Sequence, residues 1–292
     1  MRRAGCARAQ DPRHYTCRMS LSPVAPTLIP LAASSAIALA AYAVAALRRE
    51  PRRVALALGI GWGAHALALG LHAVGVGEPS PGTRFGFAPA LSVTLWLVLA
   101  VYAVESRFVP IAGVARWLAV VAAGAVGLAL AFPGELHPQA GSPWAPLHWV
   151  LGIASYGLFG VALLHAALLQ RAERRLREHA PGAASVPPLG LPLLGLEKLT
   201  FRFVAAGFVV LSATLVLGWW FSSPWHWDHK TVFSVLAWAV FAGLLAGRRA
   251  FGWRGRLATR WLYVGAGLLL LAYVGSRFVL EVLLHRGGAA VS

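Results

Sequence analysis

The chain has 292 residues, of which 58% are hydrophobic and only 12% are charged. An ordinary soluble domain carries about 25% charged residues, so this composition indicates lipid as the main solvent of the protein. A formal net charge of +16 is compatible with a nucleic-acid partner, but the basic residues form short clusters between long apolar stretches. This placement is typical of a membrane protein's topology charges and argues against a basic nucleic-acid groove.

The first eighteen residues are rich in arginine and contain both cysteines, Cys6 and Cys17. Met19 follows them, and we expect translation to begin there, with residues 1–18 as a non-native or disordered extension. Residues 19–292 are then expected to form a single membrane domain. A chain that starts at Met19 has no cysteine for a disulfide, a nucleophile or a metal site.

Eight apolar segments are long enough to cross a bilayer, which requires about twenty mostly apolar residues. They are predicted at 24–47, 54–76, 87–105, 112–132, 148–169, 203–221, 231–247 and 261–283. The predicted fold is therefore an all-α, polytopic transmembrane helix bundle. A cleaved signal peptide is the alternative for the first segment, but its apolar run is too long for one. The fifth helix is expected to extend through RAERRLRE until PGAASVPPLGLPLL breaks it.

The charges of the loops predict the orientation of these spans. The loops after the first, third, fifth and seventh spans hold 17 arginines and lysines. The loops on the opposite side and the C-terminal tail hold 3. This asymmetry predicts that the basic loops face the cytoplasm and that both termini face the outer, periplasmic side.

The predicted outer loop between the sixth and seventh spans, GWWFSSPWHWDHK (218–230), is rich in aromatic and polar side chains. A belt of interfacial tryptophans accounts well for Trp219 and Trp220. It accounts less well for the cluster that follows, which consists of Trp225, His226, Trp227, Asp228 and His229. Flat aromatic faces beside imidazoles and a carboxylate suit a planar, amphiphilic ligand such as a porphyrin, so both interpretations stay open.

Several histidines are predicted at this same outer face. They are His137, His148, His226, His229 and His285. Imidazole is a common metal ligand and a common axial ligand of haem iron. The alternative for any one of them is an interfacial histidine at the end of a helix.

Two further histidines, His65 and His72, lie inside the second span. They are seven residues apart and therefore share one helical face. An ionisable residue within the bilayer indicates a functional site. The alternative is a neutral histidine bonded to a neighbouring helix, and His165, near the cytoplasmic end of span five, is interpreted as structural.

The last helix carries Arg277, Glu281 and His285 at intervals of four residues, as one stripe that leads to the outer surface. Arg277 can pair with Glu281 or bind an anionic group such as a propionate. The alternative for Arg277 is a side chain that snorkels to the headgroups.

Four stretches resemble the cytochrome c assembly family of membrane proteins (the CcsA, CcmC and HemX types), most of all its short, YpjD-like inner-membrane branch. They are HWVLGIASYGLFG (148–160), LEKLTFRFVAAGFVVLSATLVLGWW (196–220), WHWDHKTVFSVLAW (225–238) and GWRGRLATRWLYVGAGLLLLAYVGSRFV (252–279). The likeness is best over 148–285 and weaker in spans two and three.

The resemblance implies a protein of the bacterial inner membrane that transiently binds b-type haem at its outer face and assists cytochrome c maturation. By position, His148 and His285 would be the axial ligands of the haem iron. Trp225, Trp227 and Asp228 would belong to the haem platform.

The remaining positions are assigned by the same resemblance. His229 stands where longer members carry proline, and it would serve as a substitute ligand. His65 resembles a membrane-embedded histidine of the short branch, and with His72 it would form a deeper site or an entry route. The implied partners are membrane lipid and other cytochrome c maturation proteins or an apocytochrome.

No enzyme activity is expected, because the sequence shows no nucleophile–base pair and no paired carboxylates. The alternative function is a membrane scaffold or accessory factor that has lost haem handling and stabilises a partner, such as a tetrapyrrole-synthesis enzyme or an ion-transport protein. An ion transporter is disfavoured, since the spans show neither a row of acidic residues nor an inverted repeat.

Overall fold

The computed structural model describes residues 29–74, 76, 83–107, 114–137, 144–178, 193–221, 227–275 and 278. The described helices are α1 (Ile29–Leu47), α2 (Pro51–Ala73), α3 (Phe87–Glu105), α4 (Val114–Ala131), α5 (Ala145–Glu178), α6 (Leu193–Phe221), α7 (His229–Phe251) and α8 (Gly255–Leu270). Each is long and apolar enough to cross a membrane, with α8 counted together with its continuation to Gly275. The predicted helical membrane bundle of eight spans is confirmed.

The helix boundaries differ from the predicted spans mainly at polar ends. Helix α5 runs to Glu178, as expected from the charged sequence after the fifth span. Helix α6 begins at Leu193, ten residues before the predicted span. Its first turns carry Glu197, which accepts a hydrogen bond from Arg248 of α7 at 3.0 Å. These first turns are stabilised by the contact with α7 and not by an apolar run, so the apolar pattern of the sequence did not predict them.

Two short strands accompany the helices within the described part of the chain. Strand β1 (Thr83–Phe85) precedes α3, and strand β2 (Glu135–His137) follows α4. They pair antiparallel, with Thr83 opposite His137. The sequence did not predict them, because three residues are too few to show the alternation of a strand.

The bundle has two hydrophobic cores that share α5. The first is formed by α1 to α4 together with side chains of α5 and Leu196 of α6, and it includes the fully buried Tyr42. The second lies among α5 to α8, where Phe159 and Phe241 stack with ring centres 3.9 Å apart. Helix α3 packs on both α4 and α5 and so connects the two halves.

A buried polar pair also joins α3 to α5. The His165 Nδ1 donates to the carbonyl of Val161 at 2.9 Å, and its Nε2 lies 3.0 Å from a carboxylate oxygen of Glu105. Because a carbonyl only accepts, Nδ1 carries the hydrogen of this bond. These contacts agree with the structural interpretation of His165.

Candidate functional site

A cavity of about 530 Å³ opens at the end of the bundle where α5 and α7 begin and α6 and α8 end. Such a volume lies within the ~300–1,000 Å³ typical of small-molecule and cofactor sites. Five helices line it, including the first turns of α3. Its polar lining includes Thr94, His148, Tyr156, Thr214, Asp228 and Lys230.

His148 lies in the first turn of α5 and projects against α6. Its Nδ1 donates to the backbone carbonyl of Thr214 at 3.1 Å. In a neutral imidazole this bond places the remaining lone pair on Nε2. Histidines that bind metals almost always donate their other ring N–H to a carbonyl or carboxylate in this way. This geometry is compatible with a ligand role for Nε2 of His148.

Gly218 allows the imidazole to approach α6. A Cβ atom at this position would lie 3.0 Å from Cε1 and 3.4 Å from Nδ1 of His148. A side chain at residue 218 therefore requires the ring to shift by a few tenths of an ångström. The sequence did not predict a role for this glycine. The feature that could have pointed to it is its position directly before Trp219 and Trp220.

Asp228 is the N-cap of α7. Its Oδ1 accepts the backbone N–H of Thr231 at 2.7 Å. Partial burial opposes ionisation of the carboxyl, but the Thr231 hydrogen bonds and the nearby Lys230 and His229 outweigh it and lower the pKa of Asp228. Asp228 thus remains a carboxylate at neutral pH and fixes the first turn of α7, which presents Lys230 to the cavity.

Lys230, Tyr156 and Tyr273 were missed by sequence reasoning. The Lys230 Nζ lies 5.6 Å from the centre of the Tyr273 ring. Tyr273 belongs to a π-helical turn, Leu271–Gly275, that continues α8. The Tyr156 hydroxyl donates to the carbonyl of Leu269, just before this turn. Isolated π-helical turns are frequent at functional sites.

The site residues predicted at the outer face divide into three groups. His148 and Asp228 line the cavity. Trp227 and His229 lie beside it and are exposed, Trp227 by 69%. Trp225, His285 and Arg277 lie outside the described residues. The predicted pairing of His148 with His285 therefore stays a prediction.

The two histidines of α2 lie at a separate, smaller cavity of about 250 Å³ among α1 to α4. His65 is buried, with its Nδ1 3.2 Å from the Tyr42 hydroxyl and its Nε2 2.7 Å from the Ser92 hydroxyl. His72 donates to the Pro133 carbonyl at 3.2 Å. Both nitrogens of His65 are thus used in bonds between helices, which favours a neutral, bonded histidine over a ligand. A deeper haem site at His65 and His72 stays a prediction.

Comparison with known proteins gives one family. The cytochrome c assembly protein family matches residues 85–284. The inner membrane protein YpjD of Escherichia coli K12 is 33% identical over 166 residues, covering 54% of this chain and 61% of YpjD. An uncharacterized 28.8 kDa protein of Azospirillum brasilense is 32% identical over 155 residues, covering 50% of this chain and 56% of that protein.

The cytochrome c biogenesis protein CcsA of Gloeobacter violaceus is 27% identical over 247 residues, covering 64% of this chain and 72% of CcsA. The chain thus covers less than two thirds of YpjD and of the Azospirillum protein. No solved structure matches the chain. The Escherichia coli relative is named an inner membrane protein. This agrees with the inner-membrane location that the spans and loop charges predict for this chain.

The family match extends over more than half of the chain and contains the whole larger cavity. Each described residue that lines this cavity lies between Ala90 and Val274, within the matched segment. The smaller cavity is formed partly by α1 and α2, which precede the match. The chain belongs to the cytochrome c assembly protein family.

Proposed function

We propose that this protein binds haem in the larger cavity, at the outer face of the inner membrane, and assists cytochrome c assembly by holding haem before its transfer. The observation that carries the proposal is His148, whose Nδ1 is fixed by Thr214 inside a cofactor-sized cavity. The names of the CcsA relatives support the biological process. The asymmetry of the loop charges supports an outward-facing cavity.

The described lining of the larger cavity combines the imidazole of His148 with apolar side chains such as Leu211, Leu215 and Leu269, which is compatible with a haem. When bound, haem would supply a redox-active iron in a flat, largely apolar ring that carries carboxylates. His148 would hold the iron through Nε2, and we retain His285 as the second ligand, with His229 as its substitute. Trp225 and Trp227 would provide flat faces beside the ring.

Asp228 has a different part in this proposal. Its carboxylate caps α7 by accepting the N–H of Thr231. Asp228 would therefore affect the ligand indirectly, because it fixes the first turn of α7. The deep pair His65 and His72 is not required for the outer site, because the two cavities share no described lining residue.

The test is complementation of cells from which the gene has been deleted. The proposal expects less covalently bound c-type haem in the deletion strain, restored by the wild-type gene but not by His148→Ala at equal membrane abundance. Trp117→Ala is the control, since this exposed side chain of α4 lines neither cavity. If His148→Ala restores c-type haem fully, haem handling at this site is wrong and the scaffold alternative gains support.

A further inference from the structure

The larger cavity contains a cation that iron ligation does not use. Among the described lining residues, Lys230 is the only lysine or arginine and Asp228 the only carboxylate. Asp228 accepts the N–H of Thr231, so part of its hydrogen-bonding capacity is taken up by the helix cap. An anionic ligand that enters this cavity therefore meets one ammonium group, on the second residue of α7.

The position of that ammonium group is restrained. Its nitrogen lies 5.6 Å from the centre of the Tyr273 ring, within the range of a cation–π contact. Tyr273 is presented by the π-helical turn at the end of α8, whose start is bonded through the Leu269 carbonyl to Tyr156 of α5. Three helices thus fix the charge at one side of the cavity.

We propose that Lys230 binds a carboxylate side chain of the tetrapyrrole, so that the cavity selects porphyrins with free carboxylates and orients their carboxylate edge toward α7. This inference rests on the proposed haem binding at His148. The lysine is a positioning residue for the ligand, because it acts on the periphery of the ring rather than on the iron. A carboxylate–ammonium pair at a partly exposed site changes affinity by about tenfold.

The first test compares haemin with its dimethyl ester, in which the carboxylates are esterified. Both are titrated into the detergent-solubilised protein, and the ratio of the two dissociation constants is compared between variants. This comparison cancels the partitioning of each porphyrin into micelles. The preference for haemin over the ester is expected to be about tenfold greater in the wild type than in Lys230→Gln, and Lys230→Arg is expected to keep the wild-type preference.

The second test uses Lys198 as an internal control, because the chain contains only two lysines. The protein is treated with an amine-acylating reagent with and without haemin, and acylation of each lysine is measured by mass spectrometry. Haemin is expected to protect Lys230 at least severalfold more than Lys198. Lys198 lies in the first turns of α6, at the opposite end of the bundle.

The outcomes separate the two claims. If the wild type and Lys230→Gln give the same ratio of the two dissociation constants, the Lys230 inference is wrong while haem binding stands. If Arg277→Gln abolishes the preference and Lys230→Gln does not, the carboxylate is bound by the last helix instead. If neither porphyrin binds, the proposed function fails, and this inference fails with it.

Discussion

Replacing Gly218 with alanine tests whether α6 orients His148 for ligation. The new Cβ would lie 3.0 Å from Cε1 of the imidazole, whereas carbon atoms pack at about 3.5–4.0 Å. The ring must therefore withdraw from α6 by a few tenths of an ångström. Thr214 lies one turn earlier on the same face of α6. The 3.1 Å bond from Nδ1 to its carbonyl is then stretched to about the limit of a hydrogen bond.

Loss of the group that orients a metal-binding histidine typically reduces affinity about 10- to 100-fold. We expect Gly218→Ala to weaken haemin binding by this factor, measured by titration of the Soret absorbance. Gly152→Ala is the matched control, because Gly152 lines the same cavity and its added Cβ would meet Thr214 Cγ2 at an ordinary 3.8 Å. Gly152→Ala should bind haemin as the wild type does.

The reasoning also predicts non-additivity. In a His148→Ala background, Gly218→Ala should cause no further loss, because both changes act through one imidazole. An undiminished affinity in Gly218→Ala, or an equal loss with and without His148, would refute the role assigned to Thr214 and Gly218.

Three further predictions concern buried and capping groups. Asp228→Ala should lower the free energy of unfolding by about 1 kcal/mol, because it removes the N-cap of α7. Asp228→Asn should lower it much less, because asparagine also caps helices well. Because folding lowers the pKa of Asp228 from 3.8, its stabilisation should persist at neutral pH and disappear as pH falls through the lowered pKa. Glu105→Ala should cost about 1–3 kcal/mol, because the buried Nε2 of His165 loses its carboxylate partner. His65→Leu should cost about 1–3 kcal/mol for each deprived hydroxyl partner, yet leave haemin affinity unchanged. Equilibrium unfolding in detergent measures all three, and a stable Glu105→Ala protein would contradict the second.

The bundle could be predicted because each span carries its signal locally. A run of about twenty apolar residues needs a bilayer wherever it lies, so eight helices follow from the sequence alone. The first turns of α6 could not be predicted in the same way. The ion pair of Glu197 with Arg248 depends on how α6 and α7 pack, and no local pattern reports it.

The site was predictable only in part, for the same reason. His148 stands out as a histidine at the start of a span, and Asp228 as a carboxylate among tryptophans. The Thr214 carbonyl and the space at Gly218 are features of α6 that matter only once α5 packs against it. His65 differs from His148. Its position within the membrane suggested a functional site, whereas its two hydrogen bonds connect α2 to Tyr42 of α1 and Ser92 of α3.

The most direct test of haem binding at His148 is the visible absorption spectrum of the purified protein, oxidised and reduced, beside His148→Ala and His285→Ala. The proposal predicts a Soret band and split reduced bands in the wild type, weakened in His148→Ala. Weakening in His285→Ala as well would identify the second axial ligand. A colourless protein that also fails to take up added haemin would contradict the proposal and favour the scaffold alternative.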